Sequence, residues 1–189
     1  MKRILILLLI ATVSVFSQEF KEELLVQQND TLPYRILIPK NYNSQKSYPL
    51  LIFLHGAGER GSDNKSQLVH GSFLFKSEDF RNNYPAIVVF PQCPKKSSWA
   101  NVKRNYEMLP DRKFDFLNEI SENKQLIMVE KLLDFIQKQY NIDPTRRYVG
   151  GLSMGGMGTF ELVARNPDYF AAAFPICGGG NPDWSDLLK

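Results

Sequence analysis

Gly151-Leu152-Ser153-Met154-Gly155 sets one hydroxyl between two glycines. Residues 147–150 before it read as a short strand, and residues 156–165 after it read as a helix. Strand, tight turn and helix is the context that lifts a serine onto a sharp elbow, with Oγ exposed above a sheet. The turn is strained, so Gly151 and Gly155 must keep side chains out of its way. The chemistry is nucleophilic attack on a carbonyl carbon. A serine hydroxyl is a weak nucleophile and needs a base, and the tetrahedral oxyanion needs hydrogen-bond donors.

The donors have a candidate source in His55-Gly56-Ala57-Gly58-Glu59-Arg60-Gly61. Glycines after a strand let the backbone approach a substrate closely. The free N–H groups of Ala57 and Met154 would form the oxyanion hole. The bland alternative is a glycine turn after a strand. His55 reads as structural, bonding the loop through its ring nitrogens. Glu59 and Arg60 read as a local ion pair or a loop brace, with a catalytic carboxylate at Glu59 as the alternative. The glycines of residues 150–158 lack a following Lys-Ser or Lys-Thr, so they are no phosphate loop. No Cys/His cluster has metal-ligand spacing, and neither a metal nor an organic cofactor is implied.

These residues must be placed by the elements around them. Residues 24–28 and 32–39 predict two strands about a polar turn at 29–31, and residues 41–47 a polar loop. Residues 48–55 and 86–91 are continuous apolar runs that suit parallel strands buried on both faces. Leu126, Val129, Leu133, Ile136 and Tyr140 recur at steps of three and four, which predicts a helix over 121–140. Asn141-Ile142-Asp143-Pro144 stops it, and the elbow strand follows. Asn166-Pro167 ends the elbow helix, and residues 170–176 predict one more strand. This alternation predicts an α/β domain with a mostly parallel sheet and helices on both faces. Residues 94–115 form a long irregular stretch. Trp99 and Tyr106 within it could bind sugar or aryl groups, or could pack the core.

The chain has 189 residues, 43% of them hydrophobic and 23% charged, with a net charge of +3. Met1-Lys2-Arg3, an apolar run over 4–15 and small residues at Ser14 and Ser17 predict a signal peptide over 1–17 and an exported domain over 18–189. The apolar run is shorter than the ~20 residues of a membrane span. Without Lys2 and Arg3, 21 basic residues face 20 acidic ones, a balance that points neither to nucleic acid nor to an anionic membrane. Export permits a disulfide between Cys93 and Cys177. Two intervening strands would separate them by about 14 Å at ~4.8 Å per strand, beyond the ~7 Å limit for bridging.

His55-Gly-Ala-Gly-Glu-Arg-Gly61, Pro91-Gln-Cys-Pro94, Gly151-Leu-Ser-Met-Gly-Gly-Met-Gly158 and Pro175-Ile-Cys-Gly-Gly-Gly180 occur in that order. Together they resemble the secreted α/β-hydrolases often labelled predicted peptidases. Those are similar to polyhydroxybutyrate depolymerase-like, feruloyl esterase-like and phospholipase/carboxylesterase-type enzymes. The resemblance covers nearly all of residues 18–189. It implies Ser153 as nucleophile, Ala57 and Met154 as oxyanion donors, and a small-molecule or polymer ester as substrate. A serine peptidase of the same fold is the alternative enzyme. A non-catalytic secreted binding protein with a degenerate hydrolase fold is the alternative of another class.

In that family the acid and the histidine follow the nucleophile. Here the only histidines, His55 and His70, precede it. Asp183 and Asp186 follow it but lie in a segment that resembles a connecting helix, so neither carries over as the acid. The order of His70, then Asp111 or Asp115, then Ser153 mimics that of trypsin-like enzymes, but triads are defined by geometry, not order. The expectation is a chain truncated at its C-terminus, lacking the last strands and helices, with an exposed sheet edge, poor stability and little activity.

Overall fold

The computed structural model describes residues 19–104, 114–117 and 123–188. The predicted leader, Tyr106 and Asp111 lie outside the described residues. The strands are β1 (Lys21–Gln27), β2 (Asp30–Leu37), β3 (Tyr48–Leu54), β4 (Ile87–Pro91), β5 (Val102–Arg104), β6 (Phe114–Phe116), β7 (Ile142–Leu152) and β8 (Ala172–Ile176). The α-helices are α1 (Ser72–Lys76), α2 (Glu78–Asn83), α3 (Lys124–Gln139) and α4 (Met154–Arg165).

Six strands form one sheet in the order β1-β2-β4-β3-β7-β8. β1 and β2 form the predicted hairpin, with Gln27 opposite Asp30, and β2 runs antiparallel to β4. From β4 through β3 and β7 to β8 the neighbours are parallel. The apolar runs behave as central parallel strands must. Ile87, Val88, Val89 and Phe90 of β4 are all buried, because both faces of the sheet are covered. On one face Leu50, Ile52, Leu54 and Val89 meet Leu126, Val129, Leu132 and Ile136 of α3. On the other, Phe53, Val88 and Phe90 pack with Phe20 and Phe75. α3 starts at Asn123, whose Oδ1 accepts from the N–H groups of Gln125 (3.0 Å) and Leu126 (3.1 Å), two of the donors a helix start leaves unmatched.

Three features differ from the sequence expectation. β7 begins at Ile142, where a helix stop and loop are predicted. Tyr48 N–H donates to Asn141 O at 2.9 Å, so pairing with β3 starts at once, and the register then slips between Tyr48 and Leu50. α1 and α2 have five and six residues, too few to show a helical period. The irregular stretch after Pro94 contains β5 and β6, a separate two-stranded ribbon.

Cys93 and Cys177 are free. They follow β4 and β8, with β3 and β7 between those strands. Among the described residues β8 is an edge strand, and Ala172 and Ala173 on it are exposed. No helix among the described residues is long and apolar enough to cross a membrane.

Candidate active site

Ser153 sits between the C-terminal end of β7 and the first turn of α4. Its backbone has φ +55° and ψ −111°, and its side chain is exposed. The ψ lies far outside the left-handed helical well, in a region costly for any residue with a Cβ. The strain is held by close packing on both sides. A Cβ on Gly151 would stand 2.3 Å from Gly155 O and 2.8 Å from Leu54 O. A Cβ on Gly156 would stand 2.9 Å from Gly178 Cα and from Ile176 O. Ser153 N–H donates to Ile176 O at 2.8 Å, which ties the elbow to the end of β8. Met157 N–H donates to Ser153 O at 3.0 Å. That bond closes the first turn of α4, so the N–H groups of Met154 to Gly156 have no partner within the helix.

The loop after β3 lies against this elbow. The point where a Gly56 Cβ would stand is 3.6 Å from Leu152 O and 3.9 Å from Ser153 Cβ. Ala57 follows directly and opens a short 3-10 turn, Ala57–Glu59, whose leading N–H groups also have no helical acceptor. The structure thus brings Ala57, Ser153 and Met154 to one end of the sheet, above the C-terminal ends of β3 and β7.

His55 is buried and its two nitrogens are both engaged. Nε2 accepts the Cys93 N–H at 2.9 Å, and Nδ1 lies 2.6 Å from Gly56 O. Because a backbone N–H can only donate, Nε2 carries the lone pair. Nδ1 therefore carries the proton and donates to Gly56 O. The imidazole is a strut for the loop after β3 and has no nitrogen left to take a proton from Ser153. Burial pushes its pKa below the ordinary value of 6.5. The folded chain therefore holds His55 neutral while the unfolded chain protonates it as the pH drops below about 6.5. This contribution to stability is intact above that pH and is lost as the pH falls through it, with a limiting slope of about 1.4 kcal/mol per pH unit. Denaturant unfolding of the parent and of His55→Gln between pH 8 and pH 5 should show the slope in the parent alone. Equal slopes would mean that other groups dominate.

His70 is exposed, and its Nε2 stands 3.5 Å from Glu59 Oε1. Glu59 Oε2 lies 2.9 Å from the Gly56 Cβ position, which faces Ser153. The carboxylate therefore approaches the elbow, while among the described residues no hydrogen bond joins the His70 imidazole to Ser153, and in a triad the imidazole touches the serine. Asp115 lies on the β5–β6 ribbon, and Asp183 and Asp186 lie in the 3-10 helix Pro182–Leu187.

Several braces escaped the sequence reading. Gln92 Nε2 donates to Glu59 O (3.2 Å) and Asp63 Oδ1 (2.8 Å), and its Oε1 accepts the Asn64 N–H (2.8 Å). Gly61 N–H donates to Cys93 O at 2.9 Å. The end of β4 thus pins the loop after β3. Arg60 donates to Ala57 O (2.9 Å) and Ser97 O (3.1 Å), so of the two readings, ion pair or loop brace, it is the loop brace. Burial pushes the Cys93 thiol up to about 12, which makes it inert at neutral pH. Glu161 of α4 is buried and accepts from Asn101 N (2.6 Å) and Nδ2 (2.9 Å), fixing the segment after Trp99. Trp99 itself is fully buried, edge-on to His55 at 5.3 Å between ring centroids. It packs the core beside the oxyanion loop and is not open to a sugar or aryl group.

Among the described residues no cluster of three or more His, Cys, Asp or Glu could hold a metal ion. The arrangement offers a strained exposed hydroxyl, two backbone donors and a rigid frame.

Residues 27–184 match the Esterase family, described as "Putative esterase". The chain is 30% identical over 140 residues to the bifunctional acetylxylan esterase/xylanase XynS20E of Neocallimastix patriciarum, covering 74% of this chain and 17% of that protein. It is 40% identical over 55 residues to poly(3-hydroxyalkanoate) depolymerase C of Paucimonas lemoignei, covering 29% of this chain and 13% of that one. The crystal structure of a thermostable esterase superposes with a TM-score of 0.77 at 36% identity, over 90% of this chain and 44% of that chain. The chain thus spans less than half the length of each of these three.

Proposed function

The chain belongs to the Esterase family, and on that footing we propose that Ser153 is the nucleophile of a carboxylic ester hydrolase with an α/β-hydrolase fold. The observation that carries the proposal is the exposed Ser153 at φ +55° and ψ −111°, seated between β7 and α4. Ser153 Oγ attacks the ester carbonyl. The oxyanion rests on the N–H groups of Ala57 and Met154, beside the positive end of the α4 dipole. The alcohol leaves, and water hydrolyses the acyl-enzyme. His55 has both nitrogens engaged and His70 makes no hydrogen bond to Ser153, so in a polypeptide of these residues the Ser153 proton passes to solvent water, which also protonates the departing alkoxide oxygen. The substrate is an ester of a small molecule or a polymer, in keeping with the esterase and depolymerase relatives. Export through a leader over residues 1–17 belongs to the same proposal.

Without an imidazole on Ser153, the oxyanion hole and substrate binding alone sustain only the residual catalysis seen when a triad member is missing, about 10³–10⁴ over water. A polypeptide of these 189 residues is therefore expected to turn over p-nitrophenyl acetate slowly. It should also react sluggishly with a fluorophosphonate probe, with any labelling confined to Ser153. Peptide mapping of the labelled protein checks this. A label on any other serine, or ester turnover that survives Ser153→Ala unchanged, would sink the proposal.

A further inference from the structure

At the opposite end of the sheet from Ser153 lies a recess of about 320 Å³. It opens where β2 ends and where β3 and β4 begin. Its lining includes Lys40, Asn41, Lys46, Arg81 and Asn82. We propose that this recess binds an oxyanion group, a phosphate or the carboxylate of an acidic sugar, held between Arg81 and the two lysines.

Arg81 is the anchor. It is only 9% exposed. One guanidinium nitrogen, Nη2, donates to Ile38 O at 3.1 Å, but Nε is buried and has no acceptor. A buried donor left unmatched costs roughly 1–3 kcal/mol, and more when the group is charged. The guanidinium keeps its charge in this setting, and its outer N–H groups, not the sealed Nε, are the donors it can offer a planar or tetrahedral oxyanion. The surrounding charge favours an anion. Lys40 pairs with Glu78 at 2.6 Å, and the Glu78 charge also acts on Arg81. Asp79, also on α2, holds Asn83 Nδ2 at 2.7 Å. Lys46 makes no ion pair with a described residue. Three cations thus line the recess, one of them paired with Glu78. A second recess of about 430 Å³ shares Pro85 and is lined by Tyr84, Tyr148 and Arg146. Tyr84 there is 63% exposed, a flat face on which a sugar ring carrying the anion could lie.

Calorimetric titration of the protein with sodium phosphate, glucuronate and chloride at matched ionic strength tests the site. Saturable heat is expected with phosphate or glucuronate and none with chloride. Glucuronate binding tighter than phosphate would assign the site to an acidic sugar, and the converse to phosphate. The double variant Lys40→Ala/Lys46→Ala changes two solvent-facing side chains and should weaken binding at least tenfold. Arg81→Gln should abolish it. Ester turnover should be unchanged in the double variant, since neither lysine is near Ser153. Chloride reproducing the phosphate heat, or an unaltered isotherm in the double variant, overturns the proposal even if Arg81→Gln fails to fold.

Discussion

A Ser153→Gly variant is expected to lose all covalent capture by fluorophosphonates and, at the same time, to be more stable than its parent. The first effect follows from removing the only atom proposed to form the acyl-enzyme bond. The second follows from the backbone. At φ +55° and ψ −111° a residue with a Cβ carries strain of about 1–3 kcal/mol. Glycine has no Cβ and tolerates positive φ freely, at an entropic cost of roughly 0.5–1 kcal/mol. The difference favours glycine by about 1 kcal/mol, which for a chain of this size is a rise in melting temperature of about 2–4 °C. Ser153→Ala is the control. It removes the hydroxyl but keeps the Cβ, so it should lose labelling with no gain in stability. A glycine variant no more stable than the alanine variant would show that Ser153 is unstrained and that the elbow is not poised for attack.

The elbow is legible in the sequence because it rests on glycine, whereas in its companion loop nothing lies within 4 Å of a Gly58 Cβ. Gly151, Gly155 and Gly156 are required by backbone atoms within 3 Å of where a Cβ would stand, and such requirements leave their mark on the residue type itself. The bracing residues left no such mark. Gln92 reaches Asn64 across 28 positions and Glu161 reaches Asn101 across 60. Neither pairing has a period or a motif, and only the crossover topology of β4, β3 and β7 brings the partners together. Their one local signal is a polar residue in a buried setting, Gln92 at the end of the apolar β4 and Glu161 among the apolar residues of α4. Trp99 was open to two readings because a tryptophan in a long loop looks the same whether it faces solvent or the core. The close approach of α4, where a Cβ on Gly158 would meet Trp99 Cβ at 2.5 Å, decides it. The sequence position of His55 points to a structural role, but its tautomer is fixed by a Cys93 N–H that lies 38 positions away.

Gly155→Ala is the substitution expected to damage this frame most. In an ordinary exposed helix, replacing glycine by alanine gains about 1 kcal/mol. Gly155 is in the first turn of α4, and there the sign should reverse. The added Cβ would stand 1.9 Å from Leu54 O, 2.5 Å from Leu54 C and 2.8 Å from His55 O. All three are backbone atoms of β3 and the start of the oxyanion loop, so no side chain can rotate away to make room. Either α4 withdraws from the sheet or the loop is pushed off the elbow. Overpacking of this kind costs about 3 kcal/mol or more. Either movement also parts the Met154 N–H from the Ala57 N–H, so labelling of Ser153 should fall together with stability. Gly58→Ala supplies the comparison, because nothing lies within 4 Å of its Cβ position. It should change stability by no more than about 0.5 kcal/mol and leave labelling intact, although it lies only one residue beyond Ala57. Denaturant midpoints and labelling rates for the two variants separate the cases. If Gly155→Ala unfolds at the parent midpoint, then α4 does not rest on β3 as closely as these distances require, and the two oxyanion donors are not held together by that contact.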